Sequence, residues 1–383
     1  MATTTSSCAV AVALAAATGC LTPPDLAETD DELSVVVVAA GPHALAPRQP
    51  GPLAPLGQVT LPGSIYRLDL EGDLAAVGME YVGLSLVDVA HPSAPQVRST
   101  VYLGGAGGGA VYDVELADGI VYIANNTAGL RVYDATDPGA PTEIIHLPAS
   151  RFGASVLGVE VDGDRLFVSS GGGGVSIWDV GDPYALAGAG SCYNGHVVPC
   201  NPATTTCAPT SALLGCYAGF PSTGYFHDVI VDGDLAYAGE ALTGFQLLDV
   251  TDPAHVSQLA AGTGIPGQPL NLALDGDHLW GASYGYGLAG VDVGGPIPAA
   301  WPLAAAWSSS PSQPLGVAAA HGRGGAARAY LATSTGLAVL DVAGAPTLVT
   351  TLLPGTATAD VEHAAGRLYV GAGTTLRIFD DGV

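Results

Sequence analysis

Residues 224–253, GYFHDVIVDGDLAYAGEALTGFQLLDVTDP, form the unit from which most of the chain is built, because six other segments repeat its pattern. An apolar run with alternating side chains is interrupted by Asp232-Gly233-Asp234. Asp-Gly supplies the positive φ angles of a tight hairpin turn, so a second strand follows. A third strand, residues 245–250, ends before Asp252-Pro253 because proline cannot donate a ladder hydrogen bond. Three such strands cannot bury both faces alone, so further sheets must pack on each side.

The repeats share an apolar strand that ends in aspartate. Successive aspartates are separated by 39 to 49 residues, apart from one interval of 70 residues. A four-stranded propeller blade takes roughly 40 to 50 residues, so the spacing predicts one blade per repeat. The aspartates are Asp88, Asp134, Asp179, Asp249, Asp292, Asp341 and Asp380.

The two ends of the repeat region complement each other. The last repeat stops at Val383 after three strands, and residues 58–61 form an unpartnered strand ahead of the first repeat. Joining them completes seven blades and removes the exposed edges of an open array. The predicted fold class is therefore all-β, a seven-bladed β-propeller of four-stranded antiparallel blades over residues 58–383, with the ring closed by an N-terminal strand. The 54 glycines, 28 prolines and 12% charged residues suit such a turn-rich domain.

Two short motifs recur around these strands. Gly129-Leu130 leads into one strand, and an Asp-Val-x-Asp-Pro tail follows another at residues 249–253. With these motifs, residues 58–383 resemble the LVIVD repeat family, which is found in exported bacterial and archaeal β-propeller proteins. The resemblance implies a surface or periplasmic propeller and implies no defined reaction.

The strand-end aspartates need a physical cause, because aspartate is depleted in strands. A carboxylate at this position can accept backbone N–H bonds in the turn that follows. We therefore interpret the seven aspartates as structural and do not count them as site residues.

The charge and the N-terminus bear on location and partners. A formal charge of −25, with arginine as the only basic residue type besides histidine, argues against nucleic-acid binding because no basic patch exists for phosphates. Residues 9–18 are too short an apolar run to span a bilayer but have the length of a signal-peptide core. Ala17-Thr18-Gly19-Cys20 resembles a bacterial lipoprotein signal, in which the chain is cut before the cysteine and that cysteine is lipidated.

This pattern predicts a signal peptide over residues 1–19, lipidation of Cys20, and an acidic and proline-rich linker over residues 20–57. Within the linker, residues 35–40 are a candidate extra edge strand. The expected location is the cell envelope, in the outer membrane or periplasm, or outside the cell, with membrane contact only through the lipid anchor. The expected oligomeric state is a monomer.

The 70-residue interval contains an insertion of about 25 residues relative to the other repeats. The insertion, residues 191–222, contains Cys192, Cys200, Cys207 and Cys216, whose spacing forms no CxxC pair. In an exported protein four cysteines predict two disulfides, with three possible connectivities. Counting from Asp179 places the fourth strand near residues 186–190, which would put the insertion in the connection between blades, as a roof over the channel mouth.

Alignment of the innermost strands predicts two rings of residues around the axial channel. The first ring lies near the mouth face, on which each innermost strand begins, and contains Arg67, Asp113, Gly158, Asp228, Asn271, Gly316 and Asp360. The second ring lies two residues further along each strand and contains Asp69, Glu115, Glu160, Ile230, Ala273, Ala318 and Glu362.

These rings have two interpretations. A hydrated cation such as calcium, or a cationic ligand, would be held by Asp113, Asp228 and Asp360 with His227 nearby, since hard cations favour clustered oxygen ligands. Arg67, Asn271, Glu115, Glu160 and Glu362 complete this candidate site. In the alternative interpretation, the channel is filled with water and its carboxylates bond to neighbouring backbone.

The function predicted from these features is a binding or scaffold module that recognises a protein or another envelope ligand on the mouth face. Binding is preferred to catalysis because no nucleophile, base and orienting group fall together in the sequence. The alternative function is a metal-assisted hydrolase or lactonase that uses the carboxylates at the channel mouth.

Overall fold

The computed structural model describes residues 53–104, 109–188, 190–193, 196–198, 212–217, 225–297, 300–308, 313–321 and 327–381. Within these residues the chain forms seven antiparallel sheets of four strands, one of which gains a fifth, parallel strand. The first strand of each sheet contacts the first strands of both neighbouring sheets, and that of the last sheet contacts that of the first. The fold is therefore a closed seven-bladed β-propeller, as the repeat spacing predicts.

Blades 1 to 6 use their strands in chain order from the channel outwards, and blade 7 takes its outermost strand from the N-terminal side of blade 1. Blade 1 contains Ile65–Glu71, Leu74–Met79, Gly83–Asp88 and Gln96–Tyr102; blade 2 contains Asp113–Ala117, Ile120–Ala124, Leu130–Asp134 and Thr142–Leu147; blade 3 contains Gly158–Asp162, Arg165–Ser169, Val175–Asp179 and Leu213–Tyr217; blade 4 contains Phe226–Asp232, Leu235–Glu240, Gly244–Asp249 and Ser257–Thr263, with Ala300–Pro302 as its fifth strand.

The remaining blades and short elements complete the ring. Blade 5 contains Gln268–Asp275, His278–Tyr284, Gly287–Asp292 and Ala305–Ser308; blade 6 contains Pro314–His321, Ala327–Thr333, Gly336–Asp341 and Thr347–Leu352; blade 7 contains Thr358–Ala364, Arg367–Ala372, Thr375–Asp380 and Ala54–Thr60; a separate hairpin pairs Ser191–Tyr193 with His196–Val198, and short 3-10 helices occupy Ala149–Arg151, Pro183–Gly188 and Pro253–His255.

The N-terminal strand closes the ring. Ala54–Thr60 pairs antiparallel with Thr375–Asp380, from Ala54 opposite Asp380 to Thr60 opposite Thr375. The strand begins four residues before the predicted residue 58, because a bulge between Pro55 and Gly57 accommodates the proline on an outer edge. The predicted closure is confirmed.

Small residues of the second strands allow the blades to approach each other. Opposite each first-ring position, the second strand carries glycine, alanine or serine. A Cβ on Gly78 would lie 2.6 Å from Val111 Cγ1 of blade 2, and one on Gly371 would lie 2.6 Å from Ile65 Cγ2 of blade 1. A larger residue would therefore push neighbouring blades apart. The seven positions are Gly78, Ala124, Ser169, Gly239, Ala282, Ala332 and Gly371.

Six of the seven strand-end aspartates, all except Asp380, make the predicted turn bond. In each of six blades the Oδ1 atom accepts the backbone N–H two residues later, at 3.0 to 3.1 Å. This bond tightens the turn that leads to the outer strand. These aspartates are Asp88, Asp134, Asp179, Asp249, Asp292 and Asp341.

The insertion is placed differently from the prediction. The fourth strand of blade 3 is Leu213–Tyr217, and the predicted strand near residues 186–190 is wrong because Pro183–Gly188 is a 3-10 helix. Asp182 Oδ1 accepts the Tyr184 N–H at 3.1 Å, which starts a tight turn, and the Leu186 side chain is fully buried in the core. The fourth strand thus lies inside the predicted insertion, and the insertion residues before Leu213 connect the third and fourth strands of blade 3 and not two blades.

A disulfide anchors the insertion to its own blade. Cys192 pairs with Cys216, one of the pairings that the spacing left open, and the hairpin that contains Cys192 contacts the outer strand Leu213–Tyr217. The hairpin also contacts the 3-10 helix Ala149–Arg151, which lies in the connection from blade 2 to blade 3. The predicted roof over the channel mouth stays a prediction, because most of the insertion lies outside the described residues. Cys200 and Cys207 lie outside the described residues.

The predictions for the N-terminal region also fall outside the described residues. These are the signal peptide, Cys20, the linker up to residue 52 and the strand at residues 35–40. Across the part of the chain that the structure describes, no helix has the length and apolarity needed to cross a bilayer.

Candidate functional site

A β-bulge positions the first ring. In five inner strands the pairing with the second strand shifts by one residue just before the first-ring position. A bulge places two residues opposite one and re-aims the side chain that follows. The bulged pairs are Ile65/Arg67, Phe226/Asp228, Pro269/Asn271, Pro314/Gly316 and Thr358/Asp360.

The first-ring oxygen atoms bind the backbone of the next blade. Asp113 Oδ2 accepts the Val159 N–H at 2.9 Å, and Asp360 Oδ2 accepts the Leu68 N–H at 2.8 Å. Asn271 Oδ1 accepts the Val317 N–H at 2.8 Å in the same geometry. Each of these side chains therefore joins two inner strands that the chain itself connects only through outer strands.

Asp228 is the most extensively bonded member of the ring. Its Oδ2 accepts the Leu272 N–H at 2.7 Å and a bond from Asn271 Nδ2 at 3.2 Å. Its Oδ1 accepts the backbone N–H of the next residue, Val229, at 2.9 Å. Gly158 of the preceding blade leaves room for this residue, since a Cβ there would lie 3.1 Å from the Asp228 Cα atom. Both oxygen atoms of Asp228 thus accept hydrogen bonds, and Oδ2 holds blades 4 and 5 together.

Arg67 supplies a positive charge to the first ring. The side chain is 5% exposed and lies over the Tyr66 ring, with its guanidinium carbon 5.0 Å from the ring centroid. Its Nη2 donates to the carbonyl of Leu270 in blade 5 at 3.4 Å, so the side chain reaches from blade 1 across the channel. Burial lowers the pKa of Arg67, but Asp360, Tyr66, Asp113 and Asp228 together raise it by more. The guanidinium stays charged and faces the three aspartates that were predicted to hold a cation.

The second ring is divided into an acidic half and an apolar half. Asp69 Oδ2 accepts the Leu116 N–H at 2.7 Å, and Glu160 Oε1 accepts the Val231 N–H at 3.4 Å. Glu115 and Glu362 make no side-chain hydrogen bond within the described part of the chain. The acidic half comes from blades 7, 1, 2 and 3. The apolar half comes from blades 4, 5 and 6 and consists of Ile230, Ala273 and Ala318.

All ring residues except Gly158 and Gly316 line one cavity of about 350 Å³. Seven carboxyl groups and one guanidinium face it, and the pKa of every one of these carboxyl groups is raised, first by burial. The pKa values of Asp69 and Asp228 rise to about 6. Neighbouring carboxylates add to the rise, because like charges disfavour the ionised form. The seven groups are Asp69, Asp113, Glu115, Glu160, Asp228, Asp360 and Glu362.

The predicted site residues meet in this cavity, with one exception. His227 does not line it and instead contacts the Tyr225 ring, with ring centroids 5.0 Å apart. Burial, and next the positive charge of Arg67, lower the pKa of His227 to about 4, so its ring is neutral at pH 7. Within the described ranges, no three histidine, cysteine, aspartate or glutamate residues are grouped so that they could hold a metal ion.

The sequence analysis missed a group of tyrosines on the mouth face. Tyr66 and Tyr112 occupy the position just before the first ring in blades 1 and 2, and their ring centroids are 5.2 Å apart. Tyr81 is 72% exposed in the mouth-face turn of blade 1, and Tyr225 is 43% exposed beside the inner strand of blade 4. Both interact electrostatically with Tyr112. The signal available in the sequence was the tyrosine that precedes Arg67 and Asp113.

The two faces of the propeller differ in charge. The hairpin face, on which the turns between first and second strands lie, carries the strand-end aspartates together with acidic residues of those turns. On the mouth face, the described turns between second and third strands carry only Glu80 and Glu240 as acidic residues. The acidic turn residues of the hairpin face are Asp73, Asp118, Asp164, Asp234 and Asp277.

The fold and the axial cavity define this protein as a closed seven-bladed β-propeller. The LVIVD repeat family matches at residues 108–147 and 223–259, which are the second blade with its lead-in and most of the fourth. A search of curated proteins finds no match.

Solved structures share the fold at low identity. A chain of the mitotic checkpoint complex has a TM-score of 0.60 at 12% identity, covering 85% of this chain and 91% of that one. The Cps50 (Swd1) β-propeller domain of Myceliophteria thermophila has a TM-score of 0.61 at 15% identity, covering 86% of this chain and 99% of that one. The computationally designed Ika8 protein has a TM-score of 0.54 at 11% identity, covering 85% and 99%. At these identities the similarity concerns the fold alone.

Proposed function

We propose that this protein is an exported, lipid-anchored propeller that serves as a binding or scaffold module at the cell envelope and recognises its partner with the mouth face. The observation that carries the proposal is the difference between the two faces. Acidic groups crowd the hairpin face, whereas the mouth face is poor in charge and carries exposed tyrosines.

Recognition surfaces have this composition for physical reasons. The centres of protein interfaces are depleted in charged residues and enriched in tyrosine, because a buried charge is costly and tyrosine combines a large apolar ring with a polar group. Tyr81 and Tyr225, with Leu242 at 71% exposure, present such groups on the mouth face. The acidic hairpin face would keep the molecule soluble and oriented away from other anionic surfaces.

Export and lipidation are supported by the N-terminal sequence. The short apolar run and Ala17-Thr18-Gly19-Cys20 match the pattern of a lipoprotein signal, and the resemblance of the repeats to exported LVIVD proteins implies such a location. A lipid on Cys20 followed by a flexible linker would tether the propeller and leave the mouth face free to meet a partner.

The hydrolase alternative receives less support from the geometry. A metal-assisted reaction at the mouth would need Asp113, Asp228 and Asp360 to turn their carboxylates towards one cation. Each of these residues instead accepts a backbone N–H of the next blade, and all three face the Arg67 guanidinium.

Crosslinking in cells tests the mouth face. A photoreactive residue at Leu242 should give one discrete adduct, whereas the same residue at Asp277 on the hairpin face should give none. The adduct should disappear when Tyr81→Ala and Tyr225→Ala are combined. An adduct from position 277 alone, or one from position 242 that survives the tyrosine changes, would contradict the proposal.

Mass spectrometry of the membrane fraction tests export. The mature chain should begin at Cys20 and carry the mass of a diacylglyceryl group, and Cys20→Ala should leave the signal peptide attached. A parent protein that retains residues 1–19 would refute export and lipidation without affecting the crosslinking result.

A further inference from the structure

We propose that the outer edge of blade 6, Thr347–Leu352, is a docking site for an extended, uncharged segment of a partner protein, which adds to the sheet as a fifth strand. This edge is a second interaction surface, separate from the exposed tyrosines of the mouth face. The added strand would pair with the mouth-side half of the edge, residues 350–352.

Blade 4 shows that an outer edge of this propeller accepts an added strand. Ala300–Pro302, which comes from the connection between the third and fourth strands of blade 5, pairs in parallel with the mouth-side half of Ser257–Thr263. The added strand carries no charged residue. Its Trp301 side chain is 3% exposed and stacks on Tyr237, with ring centroids 6.1 Å apart. The structure thus contains an example of the kind of segment that such an edge binds.

The outer strand of blade 6 has the same register as that of blade 4. Each strand has a bulge, in which the pairing with the third strand skips one residue, Leu259 in blade 4 and Val349 in blade 6. Ala261 and Thr351 are equivalent, since each pairs with the residue three positions before the strand-end aspartate. The fifth strand of blade 4 begins its pairing at Ala261, so a strand added to blade 6 in the same way would begin at Thr351.

The other outer edges are protected against strand addition. Proteins block exposed edges with charged residues, proline, short strands or covering segments. The outer strand contains Arg98 in blade 1, Glu143 in blade 2 and Pro55 in blade 7, and it has only four residues in blade 5. The disulfide-linked hairpin contacts the outer strand of blade 3, and the fifth strand covers that of blade 4. Among the residues that the structure describes, Thr347–Leu352 has none of these devices.

The charge and exposure of the edge indicate the chemistry of the partner segment. The first five residues of the strand are exposed, with Leu348 at 48% and Val349 at 54%. Residues 342–359 contain no charged residue and no histidine, in a chain whose net charge is −25. A lysine or arginine buried against this segment would find no carboxylate in it, so an uncharged strand rich in β-branched residues fits best. A second copy of this chain fits less well, because two chains of charge −25 repel each other.

Fluorescence anisotropy with a labelled, end-capped peptide of seven alternating threonine and valine residues tests the proposal. The full chain should bind this peptide at one saturable site. The same peptide with alternate backbone nitrogens methylated keeps its side chains but loses the N–H donors along one edge. It should bind weaker by about tenfold or more, because main-chain hydrogen bonds supply the affinity of an added strand.

Lysine substitutions on the edge locate the binding site. Val349→Lys combined with Thr351→Lys changes two exposed positions of blade 6 and should weaken binding of the peptide about tenfold or more. The matched control, Gln96→Lys combined with Val97→Lys, adds two lysines at exposed positions of the blade 1 outer strand. This control should change the affinity for the peptide less than about twofold.

Crosslinking locates the peptide independently of the lysine variants and their stability. A photoreactive residue in place of Thr351 should crosslink the bound peptide, whereas the same residue in place of Gln96 should not. Sedimentation equilibrium of the full chain tests the other occupant of the edge, a second copy. A chain that dimerises, and becomes monomeric with Thr351→Lys, would assign the edge to self-association and overturn the proposal.

Four further results would overturn the proposal: no saturable binding of the peptide, equal affinity for the methylated peptide, equal weakening by the control pair, or a crosslink from position 96 alone. None of these results bears on the tyrosine-dependent crosslink from position 242. Failure of the blade 6 edge and failure of the mouth-face proposal are therefore distinguishable.

Discussion

At the residue scale, four side chains of the first ring make the same hydrogen bond to the backbone of the next blade. Asp113, Asp228, Asn271 and Asp360 each accept an N–H from the next inner strand. A bulge just before Asp228, Asn271 and Asp360 tilts these side chains across the gap between blades, whereas Asp113 makes the same bond without one. The feature that the four positions share is therefore an acceptor oxygen, since the amide of Asn271 makes the same bond as the carboxylates.

A substitution at Asp360 tests this role. Asp360→Ala leaves the buried Leu68 N–H without a partner, so the free energy of unfolding should fall by about 1 to 3 kcal/mol. Asp360→Asn keeps an acceptor in the geometry of Asn271 and should cost clearly less. Urea unfolding of both variants gives the comparison. If the two variants lose equal stability, the charge near Arg67 and not the hydrogen bond is what matters.

A second prediction concerns the small residues of the second strands, which should be needed for close packing of neighbouring blades. Gly371→Ala would place a methyl group 2.6 Å from Ile65 Cγ2, which should lower the free energy of unfolding by about 1 to 3 kcal/mol through overpacking. Gly295→Ala is the control, because its Cβ would meet no atom within 4 Å. Chemical denaturation should separate the two variants, and equal stability would show that blades 7 and 1 can move apart at little cost.

At the scale of elements, blade 7 depends on a strand from the other end of the chain. Ala54–Thr60 pairs with Thr375–Asp380 and covers an edge that would otherwise be exposed. Leu53 and Leu61, which flank the strand, are both buried. The ring is thus closed by contacts between segments about 320 residues apart in the sequence.

Truncation tests the closing strand. A chain that begins at Leu61 should lose cooperative unfolding or form oligomers through the free edge of Thr375–Asp380. A chain that begins at Gln49 keeps the strand and should behave as the parent does. Thermal unfolding followed by circular dichroism, together with size-exclusion chromatography, distinguishes them. A monomeric and equally stable shorter chain would mean that the strand contributes little.

The insertion shows how far a strand can be predicted by counting residues from the equivalent position in other repeats. Asp182-Pro183 resembles the turns that precede outer strands in other repeats. Here, however, the turn is followed by the 3-10 helix Pro183–Gly188 and not by a strand. The Asp182 carbonyl accepts the Ala185 N–H at 2.9 Å, and Leu186 is buried in the core between blades 2 and 3. Burial of a leucine decided the conformation, and burial depends on neighbours that are distant in sequence.

At the scale of the whole molecule, the cavity links stability to pH. Its carboxyl groups have pKa values above those of an unfolded chain, so the native state binds more protons than the unfolded state. Their contribution to stability is therefore fully present below about pH 4 and is lost as the pH rises through the folded values, about 6 for Asp69 and Asp228. His227 acts in the opposite direction, because its lowered pKa costs stability as the pH falls from about 6.5 towards 4.

The seven carboxyl groups outweigh the one histidine, so unfolding in urea should have a higher midpoint at pH 5 than at pH 8. The free energy of unfolding should be higher at pH 5 than at pH 8 by a few kcal/mol, since one pKa unit corresponds to about 1.4 kcal/mol. Glu115→Gln with Glu362→Gln should reduce this difference, whereas the hairpin-face pair Asp73→Asn with Asp164→Asn should not. A midpoint that rises with pH in the parent would show that these groups ionise freely in the folded protein.

Much of the architecture follows from the sequence because it rests on local chemistry repeated along the chain. The spacing of Asp88 to Asp380 gives the number of blades, Asp-Gly turns define the hairpins, and each strand-end aspartate bonds to a residue two positions away. Even the closing strand can be predicted, because an unpaired edge at one end needs a partner and residues 58–61 are the available one. The two rings follow from the same alignment, since equivalent strands present equivalent positions to the axis.

The tertiary structure alone decided what the ring residues do. Arg67 reaches the Leu270 carbonyl 203 residues away, Asp360 bonds to Leu68, and tyrosines of three blades meet on one face. These contacts join side chains to backbone groups that become neighbours only when the ring closes. A carboxylate placed by the repeat could bind a cation, a backbone N–H or nothing at all. The choice depends on distances across the channel, which no local pattern in the sequence encodes.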